Sequence, residues 1–535
     1  MTISNKNLII FTGQSGIQAK KCLSRLNNPE IKNLNTFYIE DRIKEIYESN
    51  FKIFLSEPIP YQSETWKEAY GDIEKEITKI PLESNIFLSM HASYYHQGTC
   101  ELISIINFES LLKLKSRVKC IIVLIDDIYD IYKRLVDQGQ MFNDILGSED
   151  AFEAIYNSIK NYISILKWRQ LETNISRLLS KMFETKLFIV AIKHPIFLIR
   201  RIIDNLYEQL NIFYLAHPIS AIRRKSVDII PGFASEINNF AKTIIDNNDK
   251  NVMFLPGSID ELRIKEKKNN DHKMYIPDLH PRLDLPYGKK SQIGPPLVSR
   301  LEKYDEFNPA KCKMSVLTSN DTEKISGLLE LLSDLIRLQV TSRDINLINQ
   351  SKSGLIAYRP YFPEKISGGV VDEIKYNYTM CNIFKERTNI IVSIKHDLSK
   401  ARILGFFELL IGRINGLDDI IIDTLQDKRD NWIIKEDILN MFSDEERVRG
   451  NFDKILSEIE PLLPSDYVFK GFKQKHRKTF TTGIFPAIFE NRNNNYEEIR
   501  NNFLVDELPK WVKPKNYYKF DVPTDIIIQK ILNKP

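Results

Sequence analysis

The stretch GLIAYRPYFPEKISGGVVDEIKYNYTMC, residues 354–381, sets the reading of the fold. It opens on an apolar run, GLIAYRP (354–360), that stops at a proline, as a strand does. Two glycines follow, then an acidic pair, and a helix-like pattern begins at once. The chain has only 20 glycines in 535 residues and spends two of them here. Glu373 stands behind them and is expected in the first turn of the helix. One explanation is local: an acid near a helix start is favoured by the helix dipole. The other is a substrate-binding turn that aims a carboxylate.

The flanks repeat the same unit. NIFYLAHPIS reads as a strand ending in His217-Pro218, followed by a helix, FASEINNFAKTIIDNN, and a strand, NVMFLPGS (251–258). Residues 262–320 are polar and too long for a simple connection, so they read as an insertion that covers the site. A helix, ISGLLELLSDLIRLQ, leads into VTSRDINLINQS, where a third strand is expected to end at Asp344. NIIVSIKHD (389–397) supplies the strand after the opening motif. The block 210–415 is thus a flavodoxin-like alternation of about five strands.

The first block, 1–209, has the same rhythm. NLIIFTG (7–13), NIFLSMHA (85–92), CIIVLIDD (120–127) and KLFIVAIKHP (186–195) are strands separated by helical stretches, which implies a parallel α/β sheet. The first turn reads GQSGIQAKKCL. A phosphate-binding loop GxxxxGK[ST] would place Gly13 and Gly16 in the turn and Lys20 on the phosphates, but Ala19 replaces its last glycine and Lys21 its hydroxyl residue. Asp126 and Asp127 look like a metal-binding carboxylate pair. The block resembles a P-loop nucleotide kinase of the adenylate-kinase type with a degenerate loop. That resemblance implies a nucleotide site at Gly13, Gly16, Lys20 and Asp126, with ATP and Mg²⁺ as its candidate cofactors; a scaffold or regulatory domain is the other explanation. The third block, 416–535, reads as mostly helical. Its basic run KGFKQKHRK (470–478) reads as a solvated face.

The order of motifs in 210–415 is similar to the nucleoside deoxyribosyltransferase-like superfamily, which cleaves or exchanges N-glycosidic bonds. There the catalytic glutamate opens a helix after a Gly-containing turn. Transferases acting on free nucleosides carry Asp-x-Gly-Thr-x-x-Glu; hydrolases acting on nucleoside monophosphates carry Ser-x-Gly-Val-x-x-Glu. Ser367-Gly368-Gly369-Val370-Val371-Asp372-Glu373 matches the second form. The resemblance implies Glu373 as nucleophile, with Ser367, Gly369 and Arg223 or Arg224 on a 5′-phosphate. It also implies Tyr214 and His217 lining the base or sugar pocket, and Asp344 assisting the leaving base or orienting Glu373. Asp344 as a helix cap, the arginines as surface charges and His217 as a core residue are the structural alternatives. Gln350-Ser351-Lys352 and Ala216-His217-Pro218 depart from the usual motifs and leave the base open.

Composition excludes little else. Net charge is +4, from 75 basic and 71 acidic residues, too balanced to suggest a nucleic-acid or membrane-surface protein. No apolar run reaches membrane length, and MTISNKNLIIFTGQSG goes straight into a strand with no leader segment, so a cytoplasmic protein is expected. Cys22, Cys100, Cys120, Cys312 and Cys381 form no CxxC pair, and the eight histidines no HxH or HxxxH site, so no metal centre is expected. The glycosidase needs no cofactor, its partner is a nucleotide, and the resemblance implies a homo-oligomer. Three functions compete: a nucleotide N-glycosidase, an antiviral effector that depletes NAD or a nucleotide, and a non-catalytic nucleotide sensor.

Overall fold

A computed structural model describes residues 6–26, 34–48, 50–138, 140, 151–217, 233–259, 261, 264–269, 272–277, 319–359, 368–384, 388–393 and 517–520. The chain divides into two compact units, Met1–Ile212 with Asp249–Ser351, and Phe213–Asn248 with Lys352–Pro535. Among the described residues no helix is long and apolar enough to cross a membrane.

In the first unit β1 (Leu8–Thr12), β2 (Leu34–Tyr38) and β3 (Asn85–Ser89) precede a short antiparallel hairpin, β4 (Tyr94–His96) and β5 (Glu101–Ile103). β6 (Val118–Ile125) and β7 (Lys186–Ala191) complete a parallel sheet of order β2-β3-β1-β6-β7. Every side chain of β1 is buried, because a central parallel strand is covered on both faces and must be apolar throughout. One face packs the helix Ile59–Lys79, whose Trp66, Ala69, Tyr70, Ile73 and Ile77 recur at helical spacing. They form one core with Leu8, Ile10 and Leu88. After β1 the chain turns toward β2, and after β6 it turns the other way, toward β7. The crevice between the C-terminal ends of β1 and β6 is therefore the switch point where such sheets bind ligands.

The second sheet uses β8 (Asn211–Ala216), β9 (Asn251–Phe254), β12 (Gly354–Arg359), β13 (Thr388–Ser393) and β14 (Tyr517–Phe520). Its order, β9-β8-β12-β13-β14, is 2-1-3-4-5 in chain sequence, the flavodoxin-like order. β8, β12, β13 and β14 pair in parallel. At the start of β8, Asn211 donates its N–H to Lys250 O at 2.8 Å and its Nδ2 to Asn251 Oδ1 at 3.0 Å. The switch point here lies between the ends of β8 and β12. The expected insertion contributes an antiparallel hairpin, β10 (Ile264–Asn269) and β11 (His272–Pro277); residues 278–318 lie outside the described residues.

Two expected elements differ. VTSRDINLINQ is not a strand: one helix runs from Ser319 to Gln350. Its buried residues Ile325, Leu329, Leu332, Ile336, Arg343 and Leu347 keep one stripe along the helix, and this packing overrides the β-branched pair Val340-Thr341. The helix end is fixed to the sheet by Gln350, whose carboxamide accepts from Ile189 N–H at 2.8 Å and donates to Ile189 O at 2.9 Å. The fifth strand of the second sheet comes instead from Tyr517–Phe520, inside the block read as mostly helical. Its other residues lie outside the described ones.

Candidate functional site

At the switch point of the second sheet, the helix Gly368–Ile383 follows β12. Val370, Ile374 and Asn377 are buried at i, i+4 and i+7 and form the packed face. Gly368 and Gly369 open the helix rather than preceding it. Glu373 consequently falls in its second turn, not its first, and is half-buried beside the packed face.

Tyr214, near the end of β8, is fully buried, and its hydroxyl donates to Glu373 Oε1 at 2.8 Å. β8 and β12 pair in register, Leu355 opposite Tyr214, so the strand that carries the tyrosine adjoins the strand that feeds the glutamate's helix. A charge-assisted bond of this kind fixes the carboxylate's orientation. Two residues that the same resemblance singles out are thereby brought together. His217 follows β8, is buried, and has Nδ1 3.4 Å from Leu215 O. Beside Gly369, among the described residues, no atom lies within 4 Å of the place a Cβ would take. Ser367, Arg223 and Arg224 lie outside the described residues.

Asp344 sits within the helix Ser319–Gln350, in the first unit, while Glu373 belongs to the second. Arg343 holds its carboxylate through Nε at 2.9 Å and Nη2 at 2.7 Å. Burial raises the Asp344 pKa, and Arg343 opposes that rise.

The switch point of the first sheet contains the residues expected for a nucleotide, but they do not converge. Lys20 is exposed and pairs with Asp41 at 2.7 Å. The Gly13 N–H donates to Glu172 Oε1 at 2.9 Å. The same carboxylate accepts from Ala92 N–H at 2.7 Å, Ser93 N–H at 2.8 Å and the Ser93 hydroxyl at 2.6 Å. Glu172 thus fills an amide cradle with its own negative charge. Burial raises its pKa, and His91, the Ser93 hydroxyl and the Ala92 and Gly13 amides pull against that. Gly16 adopts φ +83°, and a Cβ there would lie 3.2 Å from Leu135 and 3.3 Å from Ile131. At Gly13 a Cβ would lie 2.9 Å from Leu124 O. Both glycines are needed by the protein's own packing.

Asp126, Asp127 and Asp130 are buried, and their carboxylates gather closely enough to hold a cation. The cation present is the Lys193 ammonium, at 2.7 Å from Asp126, 2.5 Å from Asp127 and 3.0 Å from Asp130. Arg134 also pairs with Asp126 and donates to Gly16 O at 2.7 Å. Burial alone would raise the Asp126 pKa, but Lys193 and Arg134 outweigh it and hold the group at about 2. Asp127 in addition caps the helix Ile128–Asp137, accepting from Asp130 N–H at 2.9 Å. These residues do not fit a Mg²⁺-nucleotide in this arrangement: the lysine points outward, the amides hold Glu172 and the carboxylates hold Lys193. Glu172 and Lys193 were not foreseen; they lie 159 and 67 residues from Gly13 and Asp126, and no local motif announces such partners.

No protein-family model matches the chain, and no curated protein matches it significantly.

Proposed function

We propose that the second unit is a nucleotide N-glycosidase with Glu373 as its nucleophile. The observation that carries this reading is the Tyr214–Glu373 bond at a switch point of flavodoxin-like order. The Ser-x-Gly-Val-x-x-Glu turn supports it.

The chemistry follows from the carboxylate. Glu373 attacks the anomeric carbon as the bond to the base breaks, and the bonding electrons leave with the base, which takes a proton from water. Water then attacks the same carbon, the sugar phosphate leaves, the carboxylate is regenerated, and a proton passes to solvent. Tyr214 holds Glu373 in line through both steps. Asp344 takes no step, since Arg343 already occupies it. A 5′-phosphate would be received by the helix-start amides with Ser367 and an arginine from Arg223-Arg224. The protein would then be a hydrolase of nucleoside 5′-monophosphates.

The test is release of free base, separated by chromatography, from matched nucleosides, 5′-monophosphates and NAD. Two charge-assisted bonds of ~1.5–3 kcal/mol each favour the monophosphate by roughly 10²–10⁴ in kcat/KM, and Ser367→Ala erodes that preference. Equal cleavage of nucleoside and monophosphate removes the phosphate pocket from the reading. Release from NAD alone favours the depleting effector, and no release from any of them favours a sensor.

A further inference from the structure

The first unit contains a cleft unrelated to Glu373. It has a volume of about 350 Å³ and lies between the helices Ala151–Met182 and Ser319–Gln350, beside Ile125 of β6 and Ile189 of β7. This is within the size range of small-molecule sites. Ile125, Ile189 and Ile259 give it an apolar wall, and Arg169, Arg177 and Arg343 line it as well.

The three guanidiniums are not equivalent. Arg169 pairs with Glu261 and also donates to Gln339 Oε1 at 2.9 and 3.0 Å. Arg343 pairs with Asp344 at 2.7 Å and donates to Ile259 O at 2.8 Å. Arg177 meets only carboxamide oxygens, Asn174 Oδ1 at 2.9 Å and Asn346 Oδ1 at 3.0 Å. Among the described residues it has no carboxylate partner. Three arginines against two carboxylates leave the lining with one positive charge in excess, and that charge is half-buried on Arg177. A guanidinium retains donors beyond the two used here and matches the planar fork of a phosphate or carboxylate.

We infer that this cleft binds a small amphipathic anion, an acid group on an aromatic or apolar body, with the acid on Arg177 and the body against the isoleucines. The site is separate from the glycosidase reading and stands if that reading fails. A ligand here bridges the two long helices, so its binding also stabilises the first unit.

Phenyl phosphate is a suitable probe, with inorganic phosphate and phenol as its two halves. Isothermal titration of the full chain should show saturable binding of phenyl phosphate and weaker binding of either half. Arg177→Gln should lower the affinity at least tenfold. Ser342→Phe should do the same by filling the cleft, since Ser342 lines it from an exposed helix position. Glu373→Gln should leave the affinity unchanged. Absence of saturable binding at millimolar concentration overturns the inference. So does equal affinity in wild type, Arg177→Gln and Ser342→Phe, or loss of binding in Glu373→Gln alone.

Discussion

Each of the two sheets has a switch point, and the glycines at the two differ in what surrounds them among the described residues. In the first, Gly13 and Gly16 are glycines because Leu124, Ile131 and Leu135 press on them. Its amides are taken by Glu172 and its carboxylates by Lys193 and Arg134. In the second, no described atom lies within 4 Å of the place a Cβ on Gly369 would take, and the half-buried Glu373 accepts from Tyr214. A turn of the right residue types does not by itself show that its groups are free for a ligand. In the first crevice the protein's own groups have consumed the hydrogen-bonding capacity of the Gly13 amide and the aspartates, and a buried polar group that is already satisfied gains little from a ligand.

The largest expected effect tests the second crevice. Glu373→Gln should reduce base release by about 10⁴-fold or more, as loss of a covalent nucleophile does. It should change unfolding free energy by less than about 1 kcal/mol, since the group is half-buried and the amide is isosteric. Residual activity within a few-fold of wild type would remove Glu373 from the reaction and leave the two crevices alike.

The next effect tests the first crevice, where the charged groups pair with one another. Lys193→Met removes the ammonium shared by three buried aspartates and leaves Arg134 paired with Asp126. Breaking a buried pair in this way costs about 3–5 kcal/mol, read as a fall in the urea midpoint at constant slope. The same variant should leave the rate of base release per folded molecule unchanged. A stable Lys193→Met protein, or one that has lost Mg²⁺-dependent phosphate transfer present in wild type, would show the lysine to be functional.

The pattern of legibility follows the same division. β1, β3, β6, β7, β8, β9, β12 and β13 were readable because buried parallel strands are short apolar runs with turn residues after them. β2, LNTFY, is half-buried at all five positions and gives no such run. VTSRDINLINQ misled because its local propensity is weak and its packing partners lie far away in the chain. Glu373 and Tyr214 were legible from motif and strand end. The Glu172 plug was not, because pattern reasoning finds donors and cannot see an acceptor 159 residues off, whose bond to Gly13 exists only after folding.

A smaller effect concerns acid. His194 is fully buried, packs edge-on to Phe254 and accepts from Leu255 N–H at 3.3 Å. Burial pushes its pKa down to about 4. The unfolded chain takes up this proton first, so the stability His194 contributes is present above about pH 6.5 and is lost as pH falls from there toward 4. Glu172 and Asp344, both raised by burial, act in the opposite sense: their contribution is present at low pH and lost as pH rises. Wild type should lose about 2 kcal/mol through His194 between pH 7 and pH 5. His194→Gln, which keeps an acceptor and cannot titrate, should flatten that segment of the curve. An unchanged pH profile in His194→Gln would place the acid sensitivity elsewhere.

The smallest effect is the most direct test of the geometry in the second crevice. Tyr214→Phe keeps the buried ring and removes one donor from Glu373. A hydrogen bond to a charged group is worth ~1.5–3 kcal/mol, but Glu373 is half-buried and water can replace part of it. The net loss should be near 1.4 kcal/mol, about tenfold in rate. On the proposed reading Tyr214 orients the nucleophile and does not hold the phosphate, so the loss should fall on kcat with KM nearly unchanged. A rise in KM alone would make Tyr214 a pocket wall. A rise in kcat would mean that the bond restrains the carboxylate rather than aiming it. Tyr214→Phe with wild-type kcat and KM would reduce the pair to a core contact, and the second crevice would then resemble the first, its polar groups used by the fold.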